Sequence, residues 1–145
     1  HQLRGHAPTA RLQHLLLELG RGFTFVGSQY RIEVGGEDFY IDLLFYHLEL
    51  RRFVLIDLKT GKFKPEYVGK MGFYLTAVDR QVRHAQDAPS IGLILCRERN
   101  RLVAEYTLQD VTRPMGVATY RTLPEEVRKR LPSPEQLAAE LSGET

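Results

Sequence analysis

The sequence predicts an α/β domain, a mixed β-sheet flanked by helices in the order α-β-β-β-α-β-α-β. Two features predict it. Residues 38–47 (DFYIDLLFYH) and 52–59 (RFVLIDLK) are nearly continuous apolar runs, as strands covered on both faces require. Between residue 65 and the apolar run Ser90–Cys96 stands a stretch with helical spacing, which makes a parallel pair joined by a crossover helix.

Each element has a local reason. Thr9 is a natural N-cap; Leu12, Leu15, Leu16 and Leu19 follow at helical spacing, and Gly20 ends a helix over about residues 9–19. Residues 23–34 are rich in β-formers, and Gly35-Gly36 marks a tight turn into residues 38–47. A short polar turn, Leu48–Arg51, leads into residues 52–59. Pro65 suits the first turn of a helix running to about Arg83, with Tyr67, Met71, Tyr74, Leu75 and Val78 inward. Residues 84–90 form a loop. After the strand at 90–96 come a short helix at 100–109, an edge strand at Val117–Arg121, and two short helices after Pro124 and Pro134.

The chain of 145 residues fits one domain, 1–145. A single cysteine, Cys96, excludes an internal disulfide framework and suits a reducing, cytoplasmic compartment. No apolar run approaches the ~20 residues that cross a bilayer. The chain starts without Met, as a piece excised from a longer protein would. Net charge is only +2, yet Lys59, Lys62, Lys64 and Lys70 cluster with one acid, Glu66. Such a cluster is either a solvated rim or a polyanion-binding edge.

Two acids interrupt the apolar runs: Asp42 within Phe39–Phe45 and Asp57 within Val54–Lys59. Asp is a poor strand residue, and a buried unpaired carboxylate costs on the order of several kcal/mol. If Phe45 pairs with Val54 across a four-residue turn, Asp42 falls opposite Asp57, where like charges destabilise. Lys59 projects from the same face as Asp57, two residues on. A divalent cation, Mg²⁺ or Mn²⁺, would turn that repulsion into coordination. The structural alternative is an Asp57–Lys59 salt pair at a strand end, with Asp42 capping a neighbour.

A strand with Asp, a hairpin, then D-x-K and a helix resembles the PD-(D/E)XK nuclease superfamily. The blocks Gly20–Phe23, Phe25–Gly27, Asp42–His47, Leu58–Pro65, Phe73–Leu75 and Pro89–Cys96 are similar to the C-terminal nuclease-like domain of bacterial YhcG-type proteins, over about Leu12 to Leu137. The resemblance implies a restriction-endonuclease-like fold, phosphodiester hydrolysis of DNA, and a further domain N-terminal to this one. It assigns Asp42 and Asp57 as metal ligands with the backbone carbonyl of Leu58, and Lys59 as the group that steers water and stabilises transition-state charge. Glu18 maps to the acid of the first helix. Lys70 stands where this branch commonly has Gln.

Around this centre, Lys62, Lys64, Lys70, Tyr74 and Gln29 are candidate nucleic-acid contacts. Gln29 and Arg31 share the face of Asp42 if the Gly35-Gly36 hairpin is regular. His47 and His84 have no His or Cys partner at ligand spacing and read as structural; Cys96 reads as a core thiol. No glycine pattern supports nucleotide binding. Two other classes compete: a DNA-binding or junction-recognising module without turnover, and a protein-interaction domain whose exposed edge joins two copies. A homodimer would also suit cutting of both strands.

Overall fold

The computed structural model describes residues 22–122. The first helix, Glu18 and the two C-terminal helices expected from sequence lie outside the described residues. Five strands form one sheet in the order β1-β2-β3-β4-β5: β1 (Phe23–Val34), β2 (Glu37–His47), β3 (Arg52–Leu58), β4 (Ile91–Cys96) and β5 (Met115–Thr119). The first three are antiparallel neighbours, and β3, β4 and β5 run parallel. Helix α1 (Tyr67–Gln81) joins β3 to β4, and α2 (Arg101–Leu108) joins β4 to β5.

The turns behave as their residues demand. Gly35 and Gly36 both have positive φ (60° and 82°), which a two-residue hairpin of this twist needs and glycine supplies without steric cost. Phe45 pairs with Val54, and Leu48–Arg51 close the four-residue turn. His47 is fully buried there, and its Nδ1 accepts the Leu50 N–H at 3.0 Å, a structural role for this imidazole.

Two cores sandwich the sheet. One holds Ile32, Ile41, Leu55, Ile94 and Val117 with Met71, Leu75 and Val78 of α1 and Ala104 of α2. The other holds Leu43, Phe45, Val54, Ile56, Leu93 and Leu95. Burial of both faces explains the unbroken apolar runs. Both described helices pack on one face, as two right-handed crossovers progressing in one direction must. Among the described residues the flanking helices therefore lie on one face of the sheet.

Two elements shift their boundaries. The last strand starts at Met115 rather than 117, because Pro114 already joins the sheet: its carbonyl accepts Gly92 N–H at 2.9 Å. It ends at Thr119, where Thr122 Oγ1 donates back to the Thr119 carbonyl and the chain turns. Helix α1 starts two residues after Pro65, through turns closed by the Lys64 and Pro65 carbonyls. Among the described residues no helix is long and apolar enough to cross a membrane.

Candidate active site

Parallel strands β3, β4 and β5 end at one edge of the sheet, the usual place for ligands in open α/β sheets. Asp57 lies one residue from the end of β3, paired in register with Ile94, and is 3% exposed. Lys59 follows, its backbone N–H bound to the Leu95 carbonyl at 2.9 Å. Its ammonium sits 3.5 Å from Asp57 Oδ2 and 4.5 Å from the centroid of the Tyr67 ring. The carboxylate and the negative face of the ring hold that charge from two sides.

Asp42 reaches the same place from β2. The β2–β3 ladder follows the expected register as far as Leu43–Ile56 and stops one pair short of Asp42 and Asp57. Asp42 and Asp57 are thus not a ladder pair. Where the ladder stops, Asp42 Oδ2 accepts the Leu58 N–H at 2.8 Å, standing in for a ladder carbonyl. Asp42 is 6% exposed.

The strand changes phase at this point. Ile41 and Leu44 face the core beneath α1, whereas Leu43 and Phe45 face the opposite core, so strict alternation breaks at Asp42. The neighbouring strand breaks as well. Its register shifts between Phe25 and Gly27, and Gln29 has φ +49° although it is not glycine. Left-handed backbone at such a residue is uncommon and tends to gather at functional sites. Gln29 Nε2 donates to Asp42 Oδ1 at 3.1 Å. Its role in the structure is to position Asp42.

The two carboxylates differ in satisfaction. Asp42 has hydrogen bonds to both oxygens. Among the described residues Asp57 Oδ2 is buried with no hydrogen-bond donor and has the Lys59 ammonium at ion-pair distance. An orphaned buried carboxylate oxygen is costly unless something else binds it. The donor set fits a hard divalent cation: two carboxylates on adjoining strands, one with a free oxygen, and the intervening Leu58 carbonyl. Among the described residues no group of three or more His, Cys, Asp and Glu gathers around a common point, so the fit rests on this pair.

A family model for the YhcG PDDEXK nuclease domain matches residues 6–139. The chain belongs to this family. It is 37% identical over 118 residues to YhcG of Escherichia coli (strain K12), covering 81% of this chain and 32% of that protein, so it spans about a third of that relative's length. In structure it is similar to EndoMS in a complex with dsDNA (TM-score 0.49, 13% identity, 79% of this chain and 44% of that one). A repair endonuclease from Pyrococcus abyssi is similar to the same degree (TM-score 0.48, 14% identity, 79% and 45%).

Within this YhcG nuclease domain the remaining candidates separate. Lys62, Lys64 and Lys70 are exposed near the same edge. Lys70 Nζ lies 5.6 Å from the Tyr74 ring centroid. Tyr74 itself is 5% exposed, so its ring supports Lys70 from the core and is not presented as a contact surface. Arg31 is exposed and pairs with Asp38 at 2.9 Å on the hairpin. The Cys96 thiol is pushed up to about 11 by burial first and by Asp57 second, and stays neutral. Tyr67 was read from sequence only as a buried helix residue. Its contact with Lys59 spans a loop, and helical spacing carries no signal for it.

Proposed function

We propose that this domain is a divalent-metal-dependent endonuclease that hydrolyses DNA phosphodiester bonds. One observation carries the reading: Asp57 Oδ2 is buried and lacks a hydrogen-bond donor beside a second carboxylate and a held lysine. Asp42, Asp57 and the Leu58 carbonyl would hold Mg²⁺ or Mn²⁺. Bound there, the cation supplies Lewis acidity and a more acidic water. The protein's own groups do the rest. Gln29 and the Leu58 N–H fix the Asp42 carboxylate. Tyr67 and Asp57 hold the Lys59 ammonium where it can orient water and meet charge developing on the phosphoryl oxygens, a preorganised effect of large size in catalysis. In the step itself the water oxygen bonds to phosphorus as it gives up a proton to solvent, the P–O ester bond breaks, and the departing sugar oxygen keeps the bonding pair and takes a proton from solvent. Glu18 belongs to the same proposal as an outer acid. Cleavage of both strands calls for two such sites, so a homodimer is part of it.

The test is cleavage of duplex DNA with Mg²⁺ by the whole protein, together with Mn²⁺ binding by calorimetry. Wild type should cut and bind the ion; Asp57→Ala should lose both, and Lys59→Ala should lose cleavage while keeping the ion. Absence of both ion binding and cleavage in wild type sinks the proposal. The non-catalytic DNA-binding reading has one feature in its favour, since both Asp42 oxygens already accept hydrogen bonds. Salt-dependent DNA binding without cleavage, unaltered in Asp57→Ala, would select it.

A further inference from the structure

Beyond the lysines after β3, a second basic segment follows β4: Arg97-Glu98-Arg99-Asn100-Arg101. Because β3 and β4 are parallel and in register from Val54–Ile91 to Leu58–Leu95, both segments leave the sheet at one edge. They are also laced together past the strand ends. Arg97 N–H binds the Gly61 carbonyl at 3.0 Å, Phe63 N–H binds the Glu98 carbonyl at 2.9 Å, and Lys62 and Glu98 form a parallel bridge. The two segments, Lys59–Lys70 and Arg97–Arg101, bring seven cations and two acids to this edge.

Most of these cations have no carboxylate partner among the described residues. Among the described residues, Lys59 alone of the seven makes an ion pair; the other ion pairs belong to Arg31, on the β1–β2 hairpin, and to Arg113. Arg97 and Arg101 are exposed. Arg99 is half-buried and anchored, its Nη1 donating to the Val117 carbonyl at 3.1 Å. Burial above all, and then the charge of Arg101, lower the Arg99 guanidinium from its ordinary value. Such a cluster repels itself until an anion arrives.

We propose that Arg97, Arg99 and Arg101 form a phosphodiester-binding arm that carries a nucleic-acid backbone along the β4 end of the edge, beside the Asp57–Lys59 centre. Arg99 is the fixed anchor, and Arg97 and Arg101 are the outer contacts. This rests on the nuclease reading for its substrate but concerns binding, not turnover. Phosphate contacts of this kind position a strand without reading its sequence.

The experiment measures binding of the whole protein to duplex DNA and to duplex RNA of one sequence, in chelator, across a salt series. Arg97→Gln and Arg101→Gln should each weaken binding about fivefold at low salt and reduce the slope of log K against log salt by about 1. Arg80→Gln removes the same charge from the last turn of α1 and should leave the slope unchanged. An effect on either duplex supports the arm and identifies its backbone. Unchanged slopes in the two arm variants, an equal effect of Arg80→Gln, or no binding by wild type would each overturn it. Arm-dependent binding by a protein that never cleaves would overturn the nuclease reading and leave this one standing.

Discussion

At the amino-terminal edge of the parallel strands, polar groups are matched to one another. Asp79 of α1 accepts both the backbone N–H (3.1 Å) and the hydroxyl (2.7 Å) of fully buried Ser90, and pairs with Arg113 at 3.2 Å. Arg113 also donates to Thr76, Arg52 to the Pro89 carbonyl, and Tyr46 to Asp87. At the opposite edge, among the described residues, Asp57 keeps a buried oxygen without a donor, and six of seven clustered cations have no carboxylate partner. A closed network stabilises and specifies a fold. An open one costs stability and leaves valence for a ligand. One end of the sheet therefore reads as a clasp, the other as a receptor.

The largest expected effect sharpens this contrast. Asp57→Asn should lower cleavage by about 10²–10³-fold or more while the melting temperature holds or rises, since it removes a buried charge that nothing in the fold fully satisfies. A fall of several degrees in that variant would show Asp57 to be structural and break the comparison. Asp79→Ala should do the reverse. It removes the acceptor of Ser90 and the carboxylate partner of Arg113 and should cost about 1–3 kcal/mol in denaturant unfolding, with cleavage retained below the transition.

Tyr46→Phe is the mildest case, at about 1 kcal/mol. The Tyr46 hydroxyl, 2.6 Å from Asp87 Oδ1, is the first cause holding that carboxyl below its ordinary 3.8. A depressed carboxyl contributes stability that is present above its unfolded value and lost as pH falls through the folded one. The difference between wild type and Tyr46→Phe should thus be full at neutral pH and shrink below about 3.8. A difference that persists unchanged into strong acid would assign the effect to packing instead.

The contrast was legible in the sequence only in part. Asp42 and Asp57 stood out because acids interrupt apolar strands, and Phe45–Val54 register followed from one turn length; both signals are local. Gln29's left-handed backbone was not legible, because nothing in its side chain requires it and the group it bonds, Asp42, lies on the neighbouring strand. The same holds for Asp79, Ser90 and Arg113, which come from three separate segments. The basic run Arg97–Arg101 was not singled out from sequence, because its proximity to Lys62 depends on the parallel register of β3 and β4. The helix over 65–83 proved two residues shorter at each end, since turn bonds to the Lys64 and Pro65 carbonyls precede it and Val82 and Arg83 both bind the Val78 carbonyl.

The lacing of residues 61–63 to 97–98 has a consequence for how the basic edge meets a ligand. Free loops surrender conformational entropy when they bind, roughly 1–2 kcal/mol for each backbone residue that is fixed. Here sheet-like bonds have already fixed the backbone between the lysines and the arginines during folding. The encounter need order only the ends of long side chains, so more of each charge contact remains as affinity.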